Sequence, residues 1–412
     1  MALCLAVVGG SQALAAPDAD DAADAQPPSA PDNEVGTLEG TDLDVLQGRD
    51  AVAQLEQSGT LDEVADEVGL EPDELREELL EDSSMFLTDT GVIGYADTAD
   101  WSPATPAAAL SVAALPANVF DLHSRPASSR VIYLDFDGHS AADPEWASDG
   151  PAVIVSDPFD IDGVPGSFSA AEQSLIYEVW QRVAEDYRPF DVNITTRDPG
   201  LDGIRRTSSV DAAYGQRVVI TPSNFAEAGV IGVALLDVFG SDADHPAYVF
   251  TDVGYKQTAK TMGEAVSHEA GHTFGLSHDG GSVSSNYYDG HGVWAPIMGR
   301  PIDPARPVTQ WSRGEYAGAN RFEDDLAIIA DGKSGSPGAG YRPDDHADTA
   351  SSPTVVPSNG VASGNIGRTG DRDVFAVDVL DGTLSVELRP PTGQADWSNL
   401  AASVTIRNSL GK

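Results

Sequence analysis

Apolar residues along the chain recur at three different spacings, and the changes of spacing divide it into segments. Residues 45–57, 61–68 and 72–80 place aliphatic side chains three and four apart, which predicts short helices, with Pro72 at a helix start and Gly69 at a break. Residues 86–95 alternate around a Gly-containing turn and predict a small β-hairpin. A buried strand is expected over 129–136. A helix is expected over 168–187, where Leu175, Ile176, Val179, Trp180 and Val183 share a face and Ser167 or Ser169 can cap it. Further strands are expected over 191–196, 217–221, 230–239 and 247–251. A helix ending at Gly275 follows, then another over 315–330. Short β patterns at 374–377 and 384–388 close the chain. Strands and helices mixed in this order predict an α+β protein.

Between these segments the composition changes. Residues 17–39 are rich in Ala, Asp and Pro and bury too little to fold by themselves, and 101–117 is a Pro- and Ala-rich connection. Residues 2–8 form a short apolar run, followed by Ala13-Leu14-Ala15, which reads as the core and cleavage site of a signal peptide over residues 1–15. Cys4, the one cysteine, lies inside that run, so a mature chain has no disulfide framework. No other stretch is long and apolar enough to span a membrane. The 66 acidic residues against 23 basic ones give a net charge of −43. Such a surface repels nucleic acid and anionic membranes and suits a secreted, extracellular protein.

The chemistry is concentrated in His268-Glu269-Ala270-Gly271-His272-Thr273-Phe274-Gly275-Leu276-Ser277-His278. Residues four apart share a helix face, so His268 and His272 can hold one metal ion from the same side. Glu269 sits one position off that face, in reach of a water on the metal but badly placed to be a ligand. Gly275 can adopt a positive φ and end the helix, letting the chain turn and bring up His278. Three imidazoles leave the fourth tetrahedral position for water, the pattern of a catalytic zinc site. The chain has eight histidines in 412 residues, and three of them fall within these eleven positions.

This segment resembles the zinc motif of the metzincin metallopeptidases, HExxHxxGxxH followed downstream by a Met-containing turn. Ala295-Pro296-Ile297-Met298-Gly299 is similar to that turn, with Met298 as a packing residue beneath the ligands. Asp279, directly after the third histidine, looks most like the adamalysin (reprolysin) branch. Arg300 stands where related families often carry a tyrosine, so that tyrosine's role does not carry over. The resemblance covers roughly residues 129–333. It implies a metzincin catalytic domain over 118–333, with a twisted, mostly parallel sheet, an active-site helix, and residues 230–239 as an antiparallel edge strand that a peptide substrate pairs with. Residues 16–117 would then be a propeptide and linker, inhibitory in the precursor and cut between about Tyr95 and Ser129. With no thiol remaining, that inhibition must be steric or come from a carboxylate of this Asp-rich region. Residues 334–343 read as a linker. Residues 344–412 resemble the earlier strands of the bacterial pre-peptidase C-terminal domain, a β-sandwich, on the strength of Gly370-Asp371-Arg372-Asp373-Val374-Phe375.

The function expected is that of a secreted zinc endopeptidase with Glu269 as general base, acting on proteins or peptides. Two alternatives use the same residues differently: a zinc hydrolase of non-peptide amides or cell-wall material, and an adhesion protein built on an inactive peptidase scaffold. Asp279 is a candidate anchor for the Met-containing turn. His291 and the pair Tyr287-Tyr288 are candidates to flank the cleft and stabilise an oxyanion. Asp135 and Asp137, with Asp160 and Asp162, are candidate ligands of a structural Ca2+.

Overall fold

A computed structural model describes residues 45–98, 115–141, 145–146, 153–226, 229–252, 258–281, 286–303, 305–334, 336–357, 360–379, 384–389, 399 and 402–408, and the main chain of 2–9. The apolar run read as a leader core supplies β1 (Ala2–Gly9), whose main chain pairs with strands of the tail. The greater part of the proposed linker, residues 101–114, lies outside the described residues.

The segment 45–98 is a small module. β2 (Val45–Gln47) precedes α1 (Gly48–Ser58), α2 (Leu61–Glu67) and α3 (Pro72–Glu81), and the hairpin β3 (Met85–Thr88)/β4 (Ile93–Thr98) follows. The first helix starts later than its spacing suggested, because Val45, Leu46 and Gln47 pair with β3 instead. Pro72 stands at the first position of α3, where its missing N–H costs nothing. Val52, Leu55, Val64, Leu75 and Leu79 bury their side chains with Ile93 and Tyr95 of the hairpin, and Leu236 from the next part of the chain joins them. The module is thereby docked rather than separate.

The main body runs β5 (Arg130–Asp135), β6 (His139–Ala141), β7 (Ile154–Ser156), α4 (Ala170–Asp186), β8 (Asn193–Thr195), α5 (Leu201–Ile204), β9 (Tyr214–Thr221), β10 (Val230–Leu235), β11 (Ala247–Phe250) and α6 (Ala259–Thr273). Eight strands form one sheet in the order β2-β3-β4-β10-β11-β9-β5-β8. The α+β class stands, but the sheet is mixed rather than mostly parallel. Pairs β5·β8, β5·β9 and β9·β11 are parallel, as helical or long crossovers require, and every pair from β11 through β10 to β2 is antiparallel. A second expectation is corrected with it. β10 is not an open edge: β4 lies along it, from Val230↔Thr98 to Leu235↔Gly94.

Ser169 caps α4 through a capping box with Glu172, and Thr258 caps α6 with Thr261. Ile176, Val179 and Val183 of α4 share a core with Met262, Val266 and Ala270 of α6, which lays α6 between α4 and the sheet. Beyond α6, β12 (Trp294–Pro296) pairs in parallel with β13 (Val308–Gln310). α7 (Asp325–Asp331) is much shorter than the 315–330 expected, because the Asp324 side chain caps it by accepting from Ala327 N–H. Residues 334–343 are tied to the body. Ala339 and Gly340 N–H donate to Ile329 and Ala330 carbonyls, and Asp191 N–H to the Gly340 carbonyl. The tail sheet has the order β14-β15-β1-β16, with β14 (Thr354–Val355), β15 (Arg372–Asp378) and β16 (Ala402–Asn408). Residues 384–388 form no strand: Val386 and Leu388 are exposed, so their alternation buries nothing.

Candidate metal centre

His268 and His272 occupy the last two turns of α6, and Gly275, at φ 94°, turns the chain so that His278 returns to face them. All three are buried. Each ring is oriented by its far nitrogen. Nδ1 of His268 donates to the Ile297 carbonyl at 2.7 Å, Nδ1 of His272 to the Leu276 carbonyl at 2.7 Å, and Nδ1 of His278 to the Asp82 carboxylate at 2.8 Å. A carbonyl can only accept, so in the neutral ring the proton sits on Nδ1 and Nε2 presents a lone pair. The three Nε2 atoms converge, those of His272 and His278 standing 3.1 Å apart.

A fourth ligand atom comes from the module. Asp97, near the end of β4, brings one carboxylate oxygen to 3.0 Å from His278 Nε2 and the other to 3.4 Å from both His268 and His272 Nε2. Asp97, His268, His272 and His278 therefore form one buried group able to hold a metal ion. Burial alone would raise the Asp97 pKa, but His278 and His268 outweigh it and hold the carboxyl well below its usual range. Burial acts to lower His278 too, yet Asp97 and Asp82 push it up to about 10, while burial takes His272 down to about 4. Asp97 is thus held as a buried anion facing three ring nitrogens.

Glu269 lies beside this group, fully buried, with both oxygens lacking a hydrogen-bond donor. Burial and the Asp97 carboxylate push its pKa well above the ordinary carboxylic range. It can approach the sheet only because Gly232 has no side chain: a β-carbon there would stand 2.0 Å from Glu269 Oε1. Alongside, a small cleft of about 30 Å3 is lined by Ile231, Ala265, Glu269, Tyr287, Arg300 and Ile302. Met298 is fully buried under the helix, its sulfur 2.6 Å from where a β-carbon on Gly271 would be. The turn it belongs to orients the first histidine through Ile297 and accepts from Asp279 N–H at 2.9 Å through the Met298 carbonyl.

The remaining candidates separate. Asp279 anchors the turn by its main chain, while its side chain accepts from Tyr316. Tyr287 reaches the cluster: its hydroxyl donates to Asp97 and its ring lies 4.5 Å from that of His278. Tyr288 and His291 bond to each other at 3.1 Å, with Tyr288 stacked on Tyr316, and belong to the supporting wall. The four acids considered for calcium do not form one cluster, but Asp160 and Asp162 come together with Glu172 as a group that could hold a metal ion. Asp135 is ion-paired with Arg217 at 2.6 Å. Asp160 accepts three main-chain N–H groups of its own turn, and its neighbour Glu172 serves the capping box of α4.

Asp82, Tyr95 and Asp97 were not legible as individual site residues. Tyr95 stacks on His272, with ring centroids 4.3 Å apart. The one local signal is that Tyr95 and Asp97, two apart on a strand, project from the same face. No protein-family model matches the chain, and no curated protein matches it.

Proposed function

We propose that the chain is the latent form of a secreted zinc endopeptidase, with Asp97 closing the metal site and β4 filling the substrate groove. One observation carries this reading: three Nδ1-anchored histidines turn their Nε2 atoms toward a single point that Asp97 shares. Tetrahedral ligands about 2.0–2.1 Å from zinc stand about 3.3–3.4 Å apart. The contacts among His272, His278, His268 and Asp97 are 3.0–3.4 Å, which fits. Zinc bound there supplies Lewis acidity, polarising a scissile carbonyl and lowering the pKa of a water.

The chain's own residues provide the rest. Glu269 has two oxygens without donors, beside the ligands and in the lining of the cleft, so it is placed to take the proton of an attacking water and pass it to the leaving amine. Tyr287 donates to Asp97 now and is placed to offer a hydrogen bond to substrate oxygen once Asp97 leaves. β10 pairs with a strand of its own chain, and that favours a peptide over a non-peptide amide as the partner it accepts. Asp97 lies on the module that carries the inhibitory strand, so removal of residues 45–98 would open the metal and the groove together.

The test is a precursor carrying an engineered cleavage site within 99–114, cut after folding and compared with the same protein bearing Glu269→Gln. Both should carry one zinc per chain by elemental analysis. The cut wild type should hydrolyse a fluorogenic peptide, and the variant should be slower by about 10²–10⁴-fold. Near-normal hydrolysis by a zinc-loaded Glu269→Gln protein would remove Glu269 from the mechanism. Absence of zinc from both would remove the metal.

A further inference from the structure

Away from the histidines, aspartates at the start of the tail gather around a second point. Asp344 and Asp348 lie on one loop and Asp371 just before β15, and one carboxylate oxygen from each is within 4.8 Å of the others. Asp371 is only 7% exposed. Its Oδ2 accepts from Gly367 N–H at 2.6 Å, but its Oδ1 is buried with no hydrogen-bond partner. Two residues on, Asp373 is 2% exposed and its Oδ1 is likewise unmet. Buried carboxylate oxygens are normally paired, because leaving one bare forfeits its hydration with nothing in return. Here two stand bare among further acids. Burial, with Asp344 and Asp348 close by, pushes Asp371 above its ordinary range, and burial and Asp345 take Asp373 up to about 7.

The loop is held in place independently of any mutual contact between the acids. Asp348 accepts from Arg372 N–H at 2.9 Å, Asp344 from His346 N–H at 3.1 Å, and the Ala347 carbonyl from Val374 N–H at 3.2 Å. His346 lies with Asp345 and Asp373 in a separate group that could hold a metal ion, but both its ring nitrogens are engaged as struts. Its Nε2 donates to the Ser363 carbonyl at 2.7 Å, and its Nδ1 bonds the Thr354 hydroxyl at 2.8 Å. Arg342 and Arg368 line the adjoining cavity, but neither forms an ion pair with these acids among the described residues. What remains is a donor set made only of carboxylate oxygens, the chemistry of a hard cation and not of zinc.

We infer that Asp344, Asp348 and Asp371 bind a divalent cation of the calcium class, with water and main-chain carbonyls completing its shell. The site is separate from the histidine centre and does not depend on the peptidase reading. It sits where the chain leaves the packed segment 334–343 and enters the tail sheet, so a bound ion ties the loop to the start of β15 and stabilises the tail.

Calcium titration of the full chain, freed of calcium and supplied with one equivalent of zinc, tests this by calorimetry, with thermal unfolding as the second readout. Saturable binding in the range of about 10⁻⁵–10⁻³ M is expected, with a rise in Tm as calcium is added. The double variant Asp344→Asn/Asp348→Asn changes two exposed residues, so it keeps the fold. It should weaken calcium by at least about tenfold and lose the Tm rise. Asp371→Asn should abolish binding; if burial makes that variant unfold, the double variant decides alone. Absence of saturable binding in the wild type up to about 10 mM would overturn the site, as would unchanged calcium affinity in the double variant.

Discussion

Replacing Asp97 by Ala should unlock the metal without unlocking the groove, and the difference between two substrates measures it. The substitution deletes the carboxylate that contacts Nε2 of His268, His272 and His278 and accepts from Tyr287. It leaves the main-chain pairing of β4 with β10 at all five positions, and it leaves Leu236 in the module's core. β4 is tethered, so it competes for β10 at an effective concentration on the order of 1 mM or more. A peptide of equal intrinsic affinity, supplied at about 0.1 mM, would hold β10 in roughly a tenth of molecules. A short acyl substrate that needs only the metal and Glu269 does not compete with β4. The assay compares that short substrate with a fluorogenic peptide long enough to lie along β10, for uncut wild type, uncut Asp97→Ala, and a form cut within 99–114 after folding. At about 10 nM protein the severed module loses its tether and dissociates, which gel filtration checks. Uncut wild type should process neither substrate, and the cut form both. Uncut Asp97→Ala should process the short substrate nearly as well as the cut form, but the long one at about a tenth or less. Full activity of uncut Asp97→Ala on the long peptide would show that β4 does not block the groove. A zinc-loaded Asp97→Ala that is silent on both substrates while the cut form is active would show that Asp97 does not close the metal.

Two further outcomes follow from the same geometry. His278→Ala should strip the metal, because it removes one of three nitrogen ligands, whereas Met298→Leu conserves volume in a packed floor and should cost under about 1.5 kcal/mol with zinc retained; elemental analysis of both proteins checks this, and zinc kept by the His278 variant would sink the three-histidine site. Glu78, buried beside Arg321, is pushed by burial from 4.5 up to about 7. A carboxyl raised in the fold stabilises fully below its unfolded pKa and loses that contribution as pH rises through the folded one, so the window is pH 4.5 to about 7 and the loss up to about 3 kcal/mol. Denaturant melts across that window should fall in the wild type relative to Glu78→Gln, and parallel curves would refute the shift.

The parts of this protein that could be read from its sequence are those whose hydrogen bonds close within a few residues. The helix spacing that brings His268 and His272 to one face, the glycine that turns the chain to His278, the Ser169 cap and the 86–95 hairpin are local geometry, and local geometry is written in consecutive residues. α7 starts ten residues later than its apolar spacing over 315–330 predicts, because a single cap at Asp324 outweighs that weak spacing. Asp97 is different in kind. Among 66 acidic residues nothing near it marks it out, and it meets the histidines only because β4 pairs with β10 in one register. The same holds for Asp82, 196 residues from the ring it orients, and for Asp371, whose partners lie on another loop. It holds too for Asp135, whose ion-pair partner Arg217 lies 82 residues away. The sequence by itself determined which residues could hold a metal from a single helix and turn. Only the tertiary structure decided which distant carboxylates face them, because strand register and side-chain burial are set by contacts between segments that carry no local sign of one another.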